Sequence, residues 1–167
     1  IARAAIPYLV PNTSIFLDAG TTVMSLVRQL PNQHYTIVTS GANIAIELSQ
    51  RSRSTVSCVG GQISSSTLSL SGPQAEAFLA TVNIDTAFLA ATGYSAGAGF
   101  TVGSYTENSL KRRVIQKADK VILLIDRSKL GRTLPFTFAS LSDIDVVICD
   151  APLPEDFIQA ARAAGTE

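Results

Sequence analysis

Histidine occurs once in this chain and cysteine twice, and the three residues share no metal-ligand spacing. Cys58 and Cys149 form no CxxC pair and each lies in an apolar, strand-like run. That placement predicts buried, reduced thiols in a cytoplasmic protein rather than a disulfide. No Walker A pattern occurs, and GYSAGAG at 93–99 carries its glycines in the wrong register for GxGxxG, which argues against a nucleotide. No cofactor and no metal are expected. No apolar run approaches the ~18 residues of a membrane helix; VILLI and VVIC are strand-sized. No signal peptide, internal repeat or low-complexity segment is visible. An excess of either charge is also missing: 13 basic residues balance 13 acidic ones. The chain as a whole therefore offers no electrostatic footprint for nucleic acid.

What is present is a well-furnished core. Hydrophobic residues make up 46% of the 167 and charged residues 16%, a balance that excludes disorder and suits one domain. Strand-like runs at 14–17, 35–38, 55–59, 86–90, 120–125 and 145–149 alternate with helical patterns at 22–30, 41–50, 74–81, 105–118 and 154–164. Continuous runs such as VILLI suit strands covered on both faces. The expected fold is therefore α/β, a mostly parallel sheet with helices on both faces. Two segments break the alternation, QISSSTLSLSG at 62–72 and TLPFTFA at 133–139, and both read as short extra strands or a hairpin. The chain opens without Met inside a helical pattern, IARAAIPYL, as a fragment lacking an N-terminal part would.

Each strand ends in residues suited to a ligand. Asp18-Ala19-Gly20-Thr21-Thr22 follows the first, Thr39-Ser40-Gly41 the second and Gly60-Gly61 the third. Ala91-Thr92-Gly93 follows the fourth and Asp126-Arg127-Ser128-Lys129 the fifth. Ligands of open α/β sheets bind outside the carboxyl ends of the strands. Any one of these turns also serves as a helix cap or a plain turn, but five on one edge favour a polar pocket. Glycines admit a close backbone approach, and free N–H groups at a helix start favour an anion. Thr21 and Thr22 would add hydroxyl donors, and Lys129 and Lys111 would add positive charge. Asp18 and Asp126 would accept from ligand hydroxyls. The combination points to a phosphorylated sugar or polyol. Eight of the 13 basic residues lie between 111 and 132, a segment able to attract a small anion. In SYTENSLKRRVI, Ser104 with Glu107 reads as a capping box and Glu107 with Lys111 as an i,i+4 ion pair. That reading is compatible with a ligand role for the pair. His34 reads as a surface loop residue, and Tyr94 and Tyr105 as candidates for a lid.

The order DAGTT, TSG, GG, SGP, FLAATG, ENSLKRRVI and DRSKLGR resembles the effector-sensing domain of the DeoR family of bacterial transcriptional regulators, over about residues 1–150. DAGTT and DRSKLG, with the Glu–Lys helix between them, are its most specific parts. The resemblance implies a fold like that of sugar-phosphate isomerases and CoA-transferases. It also implies a phosphorylated sugar or polyol effector, no catalysis, and assembly into homo-oligomers. DNA contact would run only through an N-terminal winged helix-turn-helix preceding Ile1. Two departures stand out. The family often reads Thr-Asn-Ser where this chain has Thr39-Ser40-Gly41, and Gly-Ala-Asp-Gly where it has Ala90-Ala91-Thr92-Gly93. The loss of that acid weakens the alternative reading, a sugar-phosphate isomerase, which needs a placed general base; Asp18 or Glu107 would have to serve. A purely structural module would need no polar residues at five strand ends.

Overall fold

The computed structural model describes residues 1–51 and 53–167. A short helix, α1 (Ala2–Ala5), precedes β1 (Ser14–Leu17), α2 (Thr21–Val27), β2 (Thr36–Thr39), α3 (Ala42–Arg51) and β3 (Thr55–Cys58). A two-stranded flap follows, β4 (Gln62–Ile63) and β5 (Leu70–Ser71), and then α4 (Pro73–Ala80) leads into β6 (Ile84–Ala90). Next come β7 (Gly93–Ser95), β8 (Gly99–Val102), α5 (Tyr105–Lys117) and β9 (Ala118–Ile125). The chain finishes with β10 (Phe136–Ala139), β11 (Val146–Cys149) and α6 (Glu155–Ala164).

Six strands form one parallel sheet in the order β11-β9-β6-β1-β2-β3. The chain builds outward from β1 through β2 to β3, then returns to the other side of β1 and builds outward again. Crossovers between parallel strands are right-handed. Reversing the direction of growth therefore moves the helices to the opposite face. On one face Val23 and Leu26 of α2 and Ile44 and Leu48 of α3 pack on Ile15, Leu17 and Phe88. On the other, Leu79 of α4, Leu110 and Val114 of α5 and Phe157 of α6 pack on Phe16, Leu89 and Leu123. Alternate residues of one strand thus serve two cores, which is why these strands read as unbroken apolar runs.

The direction changes between β1 and β6, so the crevice beyond their carboxyl ends is the topological switch point of the sheet. The two segments that interrupt the alternation are strands, as their sequences predict, but not each other's partners. The flap β4–β5 is an antiparallel pair of its own, whereas β10 joins β8 in a three-stranded antiparallel sheet with β7. The glycine-rich segment at 93–99 forms the hairpin of β7 and β8. Tyr94 is not a lid. It is 7% exposed and packs tilted against Phe100 and edge-on against Phe157, with ring centroids 4.8 and 4.7 Å away. His34 is an exposed loop residue, as expected.

At the amino edge of the sheet, Asp85 ties the two switch strands. Its Oδ2 accepts from the Ser14 backbone N–H at 2.7 Å and from the Ser14 hydroxyl at 2.8 Å. The backbone hydrogen bond, followed by that of the hydroxyl, holds the Asp85 carboxyl below its ordinary value. A depressed carboxyl stabilises the fold above its unfolded value, about 3.9, and loses that contribution as pH falls through the folded value. Asp85→Asn should therefore cost about 1 kcal/mol or less at neutral pH, since the site is exposed. In urea unfolding curves the gap to wild type should close as pH is lowered from about 5 to about 2. A gap that persists unchanged at the acid end would assign the loss to side-chain shape rather than to charge.

Candidate functional site

The sequence after β1 forms the centre of the carboxyl edge. Gly20 holds φ 120° at the N-cap of α2, a conformation that suits glycine. No side chain caps this helix, so the threonine cap that DAGTT allows is not what starts it. Thr21 is exposed and Thr22 half-buried. The first-turn N–H groups have no intrahelical acceptor by the geometry of a helix start.

Asp18 turns the other way. It is 2% exposed, and both of its oxygens are occupied. Oδ1 accepts from the Ala19 N–H at 2.9 Å and from the Ser40 hydroxyl at 3.2 Å. Oδ2 accepts from the Ala90 N–H at 2.9 Å and pairs with the Lys111 ammonium. Lys111, also 2% exposed, donates to the Ala90 carbonyl at 3.0 Å, lies 3.4 Å from Glu107 Oε1 and 5.5 Å from the centre of the Phe138 ring. Burial alone would push its ammonium down. Asp18, and after it Glu107, outweigh that and hold it above the ordinary lysine value, so the lysine is a cation.

Four expected site residues from three separate segments, Asp18, Ser40, Glu107 and Lys111, are therefore one hydrogen-bonded network. Asp18, expected to accept from ligand hydroxyls, and Lys111, expected to add positive charge, are both buried and pair with one another in the interior. The predicted capping box also gives way. Ser104 makes no cap bond and instead exchanges a hydrogen bond with Thr106 at 3.0 Å, while Glu107 turns toward Lys111.

The remaining strand ends are more local. Thr39 is fully buried and its hydroxyl accepts from the Gly41 N–H at 3.0 Å. Gly60 and Gly61 lead into the flap. At Gly61 a Cβ would lie 2.4 Å from the Ser71 carbonyl oxygen, so strand packing requires that glycine. Gly93 is crowded in the same way, with a Cβ reaching 2.6 Å from the Arg132 carbonyl oxygen. Asp126 caps its own turn by accepting from the Ser128 N–H at 3.0 Å, and Lys129 stands 3.9 Å from it. Lys129 lies at the end of β9, beyond β6 from β1, about 10 Å across two strand spacings.

The sequence marks the flap as short strands or a hairpin, but its part in lining a cavity was not read from it. Leu70 N–H donates to the Ser40 carbonyl at 2.7 Å and Ala42 N–H to the Leu68 carbonyl at 3.0 Å, which docks the flap on the end of β2. Beneath it lies a cavity of about 410 Å³ lined by Ser64, Ser66, Thr67, Ser69, Ser71, Thr92, Ser104, Thr106 and Glu107. Glu107, and Thr92 from the end of the fourth expected strand, are the residues anticipated there, and among the described residues no lysine or arginine joins the lining. The signal was visible in SSSTLSLS at 64–71, where hydroxyls crowd a short segment between glycines.

The buried pair makes a direct test. Lys111→Met leaves the Asp18 carboxylate buried without a counter-charge, which should cost about 3–5 kcal/mol in urea unfolding. Asp18→Asn combined with Lys111→Met should cost clearly less than the sum of the single changes. Additive losses would show that the two groups contribute separately.

Comparison with known proteins places this geometry. The sequence pattern of the DeoR C terminal sensor domain matches residues 1–151. The chain is 36% identical over 166 residues to the HTH-type transcriptional regulator GlpR of Haloferax volcanii, covering 99% of this chain and 65% of that protein. It is 31% identical over 167 residues to the HTH-type transcriptional repressor GlcR of Bacillus subtilis, covering 100% of this chain and 64% of the relative. The chain thus spans somewhat less than two thirds of the relatives it matches. In fold it is similar to ribose 5-phosphate isomerase A of Methanocaldococcus jannaschii, with a TM-score of 0.56 at 17% identity, covering 80% of this chain and 53% of that one. These relatives are transcriptional regulators, and this chain belongs to their family, as a DeoR C-terminal sensor domain.

Proposed function

We propose that this chain is the effector-sensing part of a transcriptional repressor, that its effector is a phosphorylated sugar or polyol, and that occupancy controls DNA binding by a helix-turn-helix domain elsewhere in the full protein. The observation that carries this reading is the hydroxyl-lined cavity under the flap, which reaches the switch point at Thr92 and Glu107. Eight Ser and Thr side chains, each both donor and acceptor, suit a ligand rich in hydroxyls. Glu107 supplies a charged acceptor. A lining without cations suits the sugar body rather than its phosphate. The phosphate lies toward Gly20, Thr21 and Thr22, with Lys129 approaching from the end of β9. At 3.9 Å the Lys129–Asp126 contact is loose, so an arriving phosphate can displace it. Ser40, Gly60, Gly61 and Gly93 shape the crevice walls, and Asp126 holds Lys129 in place until the ligand arrives.

The coupling to DNA follows from the network. A ligand hydroxyl on Glu107 competes with Lys111 for that carboxylate, and Lys111 is tied to the ends of β1 and β6 through Asp18 and Ala90. Binding therefore bears on the switch strands themselves. An isomerase reading shares this fold but needs a base free to take a substrate proton. Both oxygens of Asp18 are committed, and Glu107 is engaged with Lys111. We expect sensing without turnover. Following aldose and ketose phosphates by NMR should show no interconversion at enzymatic rates of about 1–10³ s⁻¹.

Binding itself is read by a thermal shift against a panel of sugar phosphates. A ligand at about 100 times its Kd stabilises the fold by about 2.7 kcal/mol. Lys129→Ala should remove a charge-assisted bond of about 1.5–3 kcal/mol and weaken binding about ten- to a hundredfold, with little effect on the empty protein. Glu107→Gln should weaken sugar phosphates while sparing inorganic phosphate. Thr21→Ala should lower affinity and leave unliganded stability nearly unchanged, because no cap bond is lost. Affinity indifferent to all three changes would overturn the site.

A further inference from the structure

The basic segment singled out in the sequence is not used up by the sensing site. Helix α5 has two chemically distinct faces. Leu110, Lys111 and Val114 are buried in the interior. Asn108, Ser109, Arg112 and Arg113 lie instead along a groove between α5 and α4, about 560 Å³ in volume. These positions recur at helical spacing, so their side chains form one stripe.

The chemistry of that stripe is unbalanced. Asn108 is 7% exposed, and its amide nitrogen has no acceptor among the described residues. A buried donor without a partner is costly and uncommon in folded proteins. Arg113 is exposed and, among the described residues, holds only the Gln116 amide oxygen, at 3.4 Å. Arg112 is exposed and has no hydrogen bond or ion pair among the described residues. Glu76 stands in the α4 wall, and it too makes no ion pair there. Two guanidinium groups and an unsatisfied amide therefore converge on a groove with one carboxylate opposite.

We infer that this groove is a second ligand site, for a small oxyanion that also carries a hydroxyl, such as a hydroxycarboxylate. Guanidinium groups present paired donors that match a carboxylate or phosphate in two-point fashion. The terminal torsion of asparagine is soft and roughly two-fold, so the Asn108 amide turns its N–H toward an arriving oxygen. The Glu76 carboxylate accepts the ligand hydroxyl and disfavours a bare polyanion. The site is distinct from the cavity under the flap. Glu107 lines that cavity and Asn108 the groove, so adjacent residues of one helix serve two ligands. A hydroxyacid in the groove would thus bear on the same helix that holds Lys111.

The test uses the 167-residue chain with malate, succinate and inorganic phosphate as probes, at ionic strength held constant with chloride. It follows the Asn108 side-chain amide and the Arg112 and Arg113 side chains by NMR. Saturable shifts at all three groups are expected, tightest for malate. Arg112→Gln and Arg113→Gln should each weaken malate about tenfold or more, with the fold confirmed by circular dichroism. Neither change should alter the response of the flap cavity to sugar phosphates, which separates this site from the sensing site. Shifts that chloride reproduces, that rise without saturating, or that survive both arginine changes would overturn the proposal. Equal affinity for malate and succinate would remove the role given to Glu76.

Discussion

The carboxyl edge of this protein is organised around one buried ion pair. Asp18 ends β1, Lys111 comes from the middle of α5, and neither is more than 2% exposed. Alone, either charge would be too costly to bury. Together they are stable only because the remaining lone pairs and protons also find partners: the N–H groups of Ala19 and Ala90, the Ser40 hydroxyl, the Ala90 carbonyl and the Glu107 carboxylate. The consequence is positional. The ends of β1, β2 and β6 and the axis of α5 are held in one arrangement at the place where the direction of sheet growth reverses. A buried pair of this kind is a poor source of stability compared with apolar packing. Its value is that few other arrangements of these segments satisfy it.

From that fixed point the site grows outward by short steps. Glu107 lies one helical turn before Lys111 and is drawn inward by it, away from the cap role that Ser104 would otherwise offer. That inward turn places a carboxylate in the lining of the cavity. The flap then docks through backbone bonds on Ser40 and Ala42, the residues just after β2, and roofs the space with hydroxyls. A sheet shared with ribose 5-phosphate isomerase thus carries a lining in which the acid is engaged by Lys111 and the serines and threonines bond mainly to one another. The same economy explains the outer face of α5. Residues one position along the helix from the network look away from the core, and their charges remain unspent.

Much of this was legible from the sequence by itself. Runs such as VILLI and IFL are apolar at every position because alternate residues face two different cores, so a parallel sheet with helices on both faces follows directly. Apolar period and turn residues also located six strands and five helices to within a few residues. The motifs DAGTT, TSG and ENSLK marked the segments that meet, because strand ends are where small and charged residues accumulate in such a fold. The family followed from the same motifs in their order.

Only the tertiary structure decided what each of those residues does. Asp18 and Lys111 are 93 positions apart in sequence, and no local pattern says that they neutralise one another rather than face a ligand. Hydrogen-bond partners are set by three-dimensional proximity, and a charge reads the same in sequence whether it is buried and paired or exposed and free. The flap shows the same limit. Its sequence reads as short extra strands or a hairpin, which is what it forms, but a hydroxyl has no period of its own, and the role of these serines depends on β2 and α5 passing beneath them. Sequence determined which segments approach the carboxyl edge, because hydrophobic burial is additive along a strand or helix. Packing decided which polar groups are consumed there and which remain available, because that depends on every neighbour at once.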